Sequence, residues 1–147
     1  MVDTKFSIEK RDLFTVPKDY FLCHCISADF ALGAGIAKKF AEMGVKKALT
    51  ESFGKGDWNG VGYTILSCCS AWRGEWNLVT KEKYNHKPTL QTLKQALEEV
   101  ESHCGDIKIA MPKIGCGLDR LKWNDVEKII KDVFADTDVE ILVCDWK

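Results

Sequence analysis

The sequence predicts an α/β fold in which a mixed, mostly parallel sheet lies between two helical layers. Segments with strand character alternate with segments of helical spacing along the 147 residues, and several strand segments are apolar on both faces. Strands of that kind are typical of a sheet that helices cover on both sides. The chain contains no linker, repeat or low-complexity tract, so we predict one domain over residues 1–147.

Six segments have strand character. They are Lys5–Lys10, Tyr20–Ile26, Val61–Cys69, Trp76–Thr80, Ile107–Met111 and Val139–Cys144. The first alternates apolar and polar residues, whereas the second is apolar almost throughout, as a strand buried on both faces would be. Gly74 lies in the short segment between the third and fourth strands, which therefore predicts a hairpin turn over Ser70–Glu75.

Four segments have helical spacing. They are Ile36–Met43, Val45–Phe53, a segment that follows Pro88 and a segment that ends at Phe134. Thr89 is the predicted N-cap of the third helix. The apolar stripe of that helix consists of Leu90, Leu93, Leu97 and Val100. For the last helix, Asn124 and Glu127 have the spacing of a capping box, which predicts a start near Asn124.

The charge and the apolar runs exclude several classes of protein. The formal net charge is −1, which attracts neither nucleic acid nor an anionic membrane at long range. No apolar run approaches the ~20 residues of a membrane span, and the first residues lack the apolar core of a signal peptide. We therefore expect a protein without membrane contact, in the cytoplasm or in the nucleus of a eukaryotic cell.

The seven cysteines predict reduced, mostly buried thiols, because their number is odd and most lie in apolar runs. A zinc site is disfavoured. Side chains alternate along a strand, so His24 would point away from the neighbouring Cys23 and Cys25. We predict neither a metal nor another cofactor.

Two glycine-containing loops follow strands and precede helices, Ser27–Gly35 and Pro112–Asp119. In open α/β sheets, ligands bind beyond the carboxyl ends of the strands, where such loops lie. Glycine allows close approach of the backbone, and N–H groups at a helix start favour phosphate. Two Gly-x-Gly loops at one edge therefore suggest a diphosphate ligand, although two tight turns would explain the glycines equally well. Neither a P-loop nor a Rossmann fingerprint is present.

The segments HCISADFALGAGIA (24–37) and MPKIGCGLDRL (111–121) together resemble the macrodomain family, whose members bind ADP-ribose. TKEKYNHKPT (80–89) and SHC (102–104) resemble one branch of it, the terminal ADP-ribose protein glycohydrolases. The resemblance runs from about Asp12 to Trp146 and is weakest over 52–77. It implies a three-layer α/β/α macrodomain with ADP-ribose as the ligand.

The resemblance implies binding roles for particular residues. The first phosphate loop would consist of Gly33, Ala34, Gly35 and Ile36, and the second of Ile114, Gly115, Cys116, Gly117 and Leu118. Asp12 would accept from the adenine amino group with Leu13 beside it, although Asp12 could instead cap the turn after the first strand. Ser27 stands where hydrolytic macrodomains of the MacroD type have an asparagine that contacts the distal ribose, so a hydrogen bond between Ser27 and that ribose is an open possibility.

The resemblance also implies a catalytic pair. The hydrolytic macrodomains of the MacroD type carry an acid where this chain has Ala37, so their mechanism is not available here. In the glycohydrolase branch, Lys81 would attack C1″ of the opened distal ribose and Asp119 would assist by proton transfer. Each residue also has a structural interpretation: Lys81 lies in a charged KEK triplet that could be a solvated strand end, and Asp119 could cap a helix or pair with Arg120.

From this resemblance we expect a monomeric hydrolase that removes terminal mono-ADP-ribose from glutamate and aspartate esters and deacylates O-acetyl-ADP-ribose. Its partners would be ADP-ribose and ADP-ribosylated proteins. Two alternatives stay open. The chain could be an ADP-ribose reader without turnover, or it could act on ADP-ribosylated DNA as the DarG-type antitoxins do, with a local basic patch that includes Lys38, Lys39 and Lys83.

Overall fold

A six-stranded sheet forms the centre of the protein in the computed structural model, which describes residues 5–33, 35–70, 73–105, 107–116 and 120–145. The strands are β1 (Lys5–Glu9), β2 (Tyr20–Ser27), β3 (Tyr63–Ser70), β4 (Arg73–Lys81), β5 (Lys108–Met111) and β6 (Glu140–Cys144). Their order across the sheet is β1-β6-β5-β2-β4-β3. All neighbouring strands are parallel except β3 and β4, so the predicted mixed, mostly parallel sheet is confirmed.

The strands β3 and β4 pair as an antiparallel hairpin, as predicted, with Ser70 opposite Arg73. The two residues of the turn itself lie outside the described residues. The strand β3 begins at Tyr63 and not at the predicted Val61. The reason is that the N–H of Gly62 donates to the Gln95 side chain at 3.0 Å, and that of Val61 to the Asn59 side chain at 3.2 Å.

The helices form one layer on each face of the sheet. They are α1 (Gly35–Glu42), α2 (Val45–Phe53), α3 (Leu90–His103) and α4 (Trp123–Val133). Phe40 and Leu49 of α1 and α2 pack with Leu22 and Val79 on one face. Side chains of α3 and α4, among them Leu97, Val100, Val126 and Ile130, pack on the other face. The three-layer arrangement is therefore confirmed.

The N-terminal cap of α3 is the one predicted. The Thr89 hydroxyl accepts from the Thr92 N–H at 3.0 Å, and the Thr92 hydroxyl accepts from the Thr89 N–H at 3.1 Å. The predicted capping box at Asn124 is wrong, because α4 begins at Trp123 with Lys122 as N-cap and no side-chain cap bond. The half-buried Trp123 packs against the core, and the N-cap of α4 lies two residues closer to the N-terminus than predicted.

The prediction of mostly buried cysteines is wrong in its extent. Cys23 and Cys144 are buried, Cys68 is exposed on β3, and the other four are intermediate; no disulfide joins any of the seven, all of which are described. Burial raises the pKa of Cys144 to about 11, a shift that the nearby charge of Arg11 only partly offsets.

His24 stacks on Phe40, on the opposite face of the sheet from Cys23, as the alternation of side chains along a strand predicts.

Two further findings bear on function. Within the described parts of the chain, no group of three or more histidine, cysteine and acidic side chains is arranged to hold a metal ion. The helices of the same parts are too short or too polar to cross a membrane.

Candidate functional site

A cavity of about 830 Å³ opens at the carboxyl ends of β2, β4, β5 and β6. Its size lies within the range of sites for small molecules and cofactors. Its walls come from the loop after β2, from Lys81 at the end of β4, from 112–116 after β5, and from Cys144 and Asp145 after β6. This is the edge at which the sequence predicts a ligand.

Most of the predicted site residues that the structure describes lie together in the wall of this cavity. They are Ser27, Gly33, Gly35, Ile36, Lys81, Ile114, Gly115 and Cys116. Ala34, Gly117, Leu118 and Asp119 lie outside the described residues, so their roles stay predictions. Asp12 and Leu13 are not in the cavity wall, and Leu13 is a core residue that is 2% exposed.

The loop between β2 and α1 has an unusual backbone. Phe30 and Leu32 have φ values of 55° and 43°, in the left-handed region that side chains other than glycine seldom adopt. Their side chains are buried in the core, which holds the strained backbone in place. Gly33 is different, since a Cβ there would meet only the Ala31 carbonyl oxygen, at 3.8 Å. Packing of the fold does not require glycine at this position.

Asp29 organises the same loop and was missed by the sequence analysis. Its Oδ1 accepts from the Ser27 hydroxyl at 2.5 Å and from the Ala31 N–H at 3.1 Å, and its Oδ2 accepts from the Tyr84 N–H at 3.0 Å. Burial opposes ionisation, but these three hydrogen bonds and the charge of Lys81 outweigh it and lower the pKa of Asp29. Asp29 thereby joins the loop after β2 to the loop after β4, beside Lys81.

A β-bulge sets the position of Lys81. The residue opposite Ile26 on β4 is Val79, but the residue opposite Ser27 is Lys81, so Thr80 is the extra residue of the bulge. The Lys81 carbonyl then accepts from the Ala28 N–H at 2.9 Å. Without the bulge, Thr80 would pair with Ser27 and the Lys81 side chain would be displaced from the cavity edge.

The KEK triplet is not uniformly solvated. Lys81 is half-buried in the cavity wall, whereas Glu82 and Lys83 are exposed. Glu82 and Lys83 therefore fit the interpretation of the triplet as a solvated strand end, but Lys81 does not. Lys81 is the residue of the triplet that a ligand in the large cavity could contact.

The glycine requirement at Gly115 has a structural cause. Its φ is 74°, and a Cβ there would lie 2.8 Å from Leu121 Cδ1. The Leu121 N–H donates to the Gly115 carbonyl at 2.6 Å, which closes the loop. The tight-turn interpretation therefore holds for Gly115, which also lines the cavity. Beside it, burial raises the pKa of the Cys116 thiol against the opposing charge of Lys113.

Asp12 caps a single turn of 3-10 helix over Leu13–Thr15. Its Oδ1 accepts from the Phe14 N–H at 3.0 Å, so the structural interpretation of this residue is correct. Asp12 also lies near the cavity, because its charge helps to raise the pKa of Cys144 in the cavity wall. Contact between Asp12 and a ligand stays a prediction.

Comparisons with known proteins give both sequence relatives and structural neighbours. The chain is 40% identical over 145 residues to the human ADP-ribose glycohydrolase OARD1, a match that covers 95% of this chain and 91% of the human protein. The Bos taurus protein of the same name matches with the same identity and coverage. No family model matches the chain.

Solved structures of DarG macrodomains share the fold. The macrodomain of Thermus aquaticus DarG matches with a TM-score of 0.77 and 18% identity over 95% of this chain and 97% of the other. That of Mycobacterium tuberculosis DarG matches with a TM-score of 0.73 and 21% identity over the same shares. Thermosipho africanus DarTG in complex with ADP-ribose matches with a TM-score of 0.66 and 19% identity, over 95% of this chain and 41% of that protein. At these identities the similarity shows a shared fold.

Proposed function

Since the chain belongs to the macrodomain family, in the branch of the ADP-ribose glycohydrolase OARD1, we propose that it is an ADP-ribosyl hydrolase. Its substrates would be terminal mono-ADP-ribose esters of glutamate and aspartate, and O-acetyl-ADP-ribose, which presents the same kind of ester. The observation that carries the proposal is the position of Lys81, which is half-buried at the edge of the cavity formed by both glycine loops.

In this proposal the diphosphate of ADP-ribose lies between the two glycine loops. Backbone N–H groups at the start of α1 would meet one phosphate, since helix N-termini favour anions. Support comes from Gly33, where packing leaves room for a ligand to approach the backbone. The distal ribose would face Ser27 and Lys81, and the adenine would face Cys144 at the β6 side of the cavity, toward the nearby Asp12.

The proposed reaction runs through the Lys81 amine. The amine in its unprotonated form attacks C1″, a C1″–N bond forms, and the C1″–O bond breaks with its electron pair on the departing carboxylate oxygen. Asp119 would take the proton that the attacking amine loses. Water then adds to C1″ of the lysyl adduct, and cleavage of the C–N bond returns Lys81 and releases ADP-ribose. The net reaction consumes one ester and one water.

The Asp29 carboxylate supports this chemistry by position. It lies near the Lys81 ammonium group and is bonded to both loops that flank it. A fixed carboxylate restricts the lysine side chain to the cavity edge, and such positioning of a reacting group contributes to rate. Asp29 therefore acts in the proposal as a positioning residue.

The test is release of ADP-ribose from a protein mono-ADP-ribosylated on acidic residues. We expect Lys81→Ala and Asp119→Ala to lose about 100-fold or more of the activity, as removal of a nucleophile or a proton-transfer group does. Lys81→Arg should be equally inactive, because a guanidinium stays protonated. The exposed Lys83→Ala is the matched control. Equal rates for all four variants and the wild type would refute the assignment.

The same experiment separates the two alternatives. A reader would bind ADP-ribose in calorimetry but release none from any ester. An enzyme for DNA would release ADP-ribose from modified single-stranded DNA in preference to protein, with strong dependence on salt. Intact-mass analysis adds a direct readout, since an ADP-ribose adduct mapped to Lys81 would identify ligand and nucleophile together.

A further inference from the structure

A second cavity, of about 330 Å³, adjoins the first at the end of β4. Lys81 and Lys87 lie in the walls of both cavities. Its other walls come from the loop before β3, which contributes Trp58, and from the first turn of α3 with its N-cap Thr89. Thr80, Glu82 and His86, which are near Lys81 and Lys87 in the chain, also line it. The proposed nucleophile therefore stands where a large cavity and a small one meet.

The walls of the small cavity favour an anion. Lys81 and Lys87 outnumber Glu82, the acid in the same wall. The first turn of the 14-residue helix α3 also faces this cavity, and the backbone N–H groups of Leu90 and Gln91 have no acceptor within the helix.

An independent observation concerns Thr80, the extra residue of the bulge. Thr80 is 1% exposed and lies in the wall of the small cavity. Its carbonyl accepts from the Thr92 hydroxyl at 2.8 Å, but its own hydroxyl has no hydrogen-bond partner among the described residues. Buried hydroxyls are seldom left without a partner, so a donor in this position indicates a place for an acceptor.

We propose that the small cavity binds the acyl side of the substrate, which is the glutamyl or aspartyl carboxyl group esterified to C1″. This inference rests on the proposed function. When the C1″–O bond breaks, the electron pair goes to the carboxylate oxygen, and the new anion lies among Lys87, the start of α3 and the Thr80 hydroxyl. The ADP-ribose part stays in the large cavity. The two cavities thus correspond to the two products of one reaction at Lys81.

The test introduces a negative charge at the small cavity without disturbing the fold. Gln91 is exposed in the first turn of α3, where a glutamate is favourable for the helix. Asn124→Asp makes the same charge change at the second residue of α4, outside both cavity walls, and is the matched control. Thr80→Val removes the hydroxyl and keeps the size of the side chain.

We expect Gln91→Glu to lower kcat/KM for a glutamate-linked mono-ADP-ribosyl peptide by about fivefold, because the added charge would lie a few ångströms from the carboxylate that forms as the C1″–O bond breaks. Thr80→Val should lower it by a smaller factor. The Kd of ADP-ribose, measured by calorimetry, should stay within about twofold for both variants, and Asn124→Asp should behave as wild type. Equal kcat/KM values for all variants, or a fall in kcat/KM that a rise in the Kd of ADP-ribose accounts for, would overturn the inference.

Failure of the proposed function has a different signature. If the wild type releases no ADP-ribose, the same peptide serves as a binding probe, and the inference then requires it to bind more tightly than ADP-ribose by a margin that Thr80→Val reduces. If the variants impair binding of ADP-ribosylated single-stranded DNA and leave the peptide unaffected, the small cavity receives a nucleobase, and the inference is wrong.

Discussion

The hydroxyl of Ser27 donates a 2.5 Å hydrogen bond to Oδ1 of Asp29. Because this bond uses the one proton of the hydroxyl, the Ser27 oxygen has only its lone pairs for a ligand. Ser27 can therefore accept a hydrogen bond from a ribose hydroxyl but cannot donate one while the bond to Asp29 is intact. Asparagine, which the resemblance implies at this position in macrodomains of the MacroD type, can do both, so the proposed ribose contact is chemically different here.

The first prediction concerns Asp29. Asp29→Asn keeps one acceptor oxygen but cannot satisfy both the Ala31 and the Tyr84 N–H groups, and Asp29→Ala satisfies neither. We expect the Kd for ADP-ribose to rise by about tenfold in Asp29→Asn, which corresponds to one charge-assisted hydrogen bond. Isothermal calorimetry measures this, with the exposed Asp136→Asn as control. Unchanged affinity in Asp29→Ala would show that the link between the two loops is not needed for binding.

The second prediction separates the two roles of Asp12. Asparagine is as good a cap as aspartate, so Asp12→Asn should keep the bond to the Phe14 N–H and the melting temperature. It should nevertheless lose acceptor capacity for the adenine amino group, whereas Asp12→Ala should lose stability as well. The measurement is the Kd for ADP-ribose against that for inosine diphosphate ribose, which lacks the amino group. If the wild type does not discriminate between them, the adenine role of Asp12 is wrong.

The third prediction concerns pH and His24. Burial lowers the pKa of His24 from 6.5 to about 4, and its hydrogen bond to Asn77 offsets this only in part. Above pH 6.5 the imidazole is neutral in both the folded and the unfolded protein. Between pH 6.5 and about 4 the unfolded state binds the extra proton, so the free energy of unfolding should fall as the pH falls, by up to about 3 kcal/mol.

Urea unfolding at several pH values between 7.5 and 4 measures this dependence. His24→Gln should flatten it, because glutamine does not titrate and can still donate to Asn77 Oδ1. The exposed His103→Gln should keep the wild-type slope. If His24→Gln and the wild type show the same pH dependence, another group is responsible.

The fourth prediction concerns Gly62, where the chain passes close to α3. A Cβ at Gly62 would lie 1.9 Å from the Thr92 carbonyl oxygen, which is backbone and cannot rotate away. We expect Gly62→Ala to destabilise the protein by about 3 kcal/mol, at the upper end of what overpacking costs. Gly105→Ala is the control, since nothing lies within 4 Å of a Cβ there. Equal melting temperatures for the two variants would mean that the backbone yields easily at this contact.

Local patterns in the sequence were sufficient to predict the layers and the cavity edge. Continuous apolar runs marked the buried strands, and glycines after strands marked the two loops that the structure brings together. Only one of the backbone contacts of Asp29 could be predicted from the sequence. Aspartate side chains in turns often accept from the N–H two residues later, which here is that of Ala31. The bond to the Tyr84 N–H joins residues 55 positions apart in the chain, and no local pattern indicates it.

The bulge at Thr80 and the start of α4 were missed for a related physical reason. The alternation of side chains predicts which face of the sheet each residue lies on, but only if the strand is regular. Whether a strand contains an extra residue depends on its pairing with a neighbouring strand, which for β4 is β2. At α4, the packing of Trp123 on the core outweighed the local preference of Asn124 for a cap. In both cases tertiary contacts decided the backbone.

The parallel pairing of β1 with β6 also has a consequence during protein synthesis. Lys5 pairs with Glu140, so β1 must wait for the last strand of the sheet. At about 5–20 residues per second, that interval is roughly 7–27 s. Meanwhile β5, which β6 later covers, keeps one edge open. A nascent chain with such an edge can pair with other strands, so these seconds are when chaperones would protect it most.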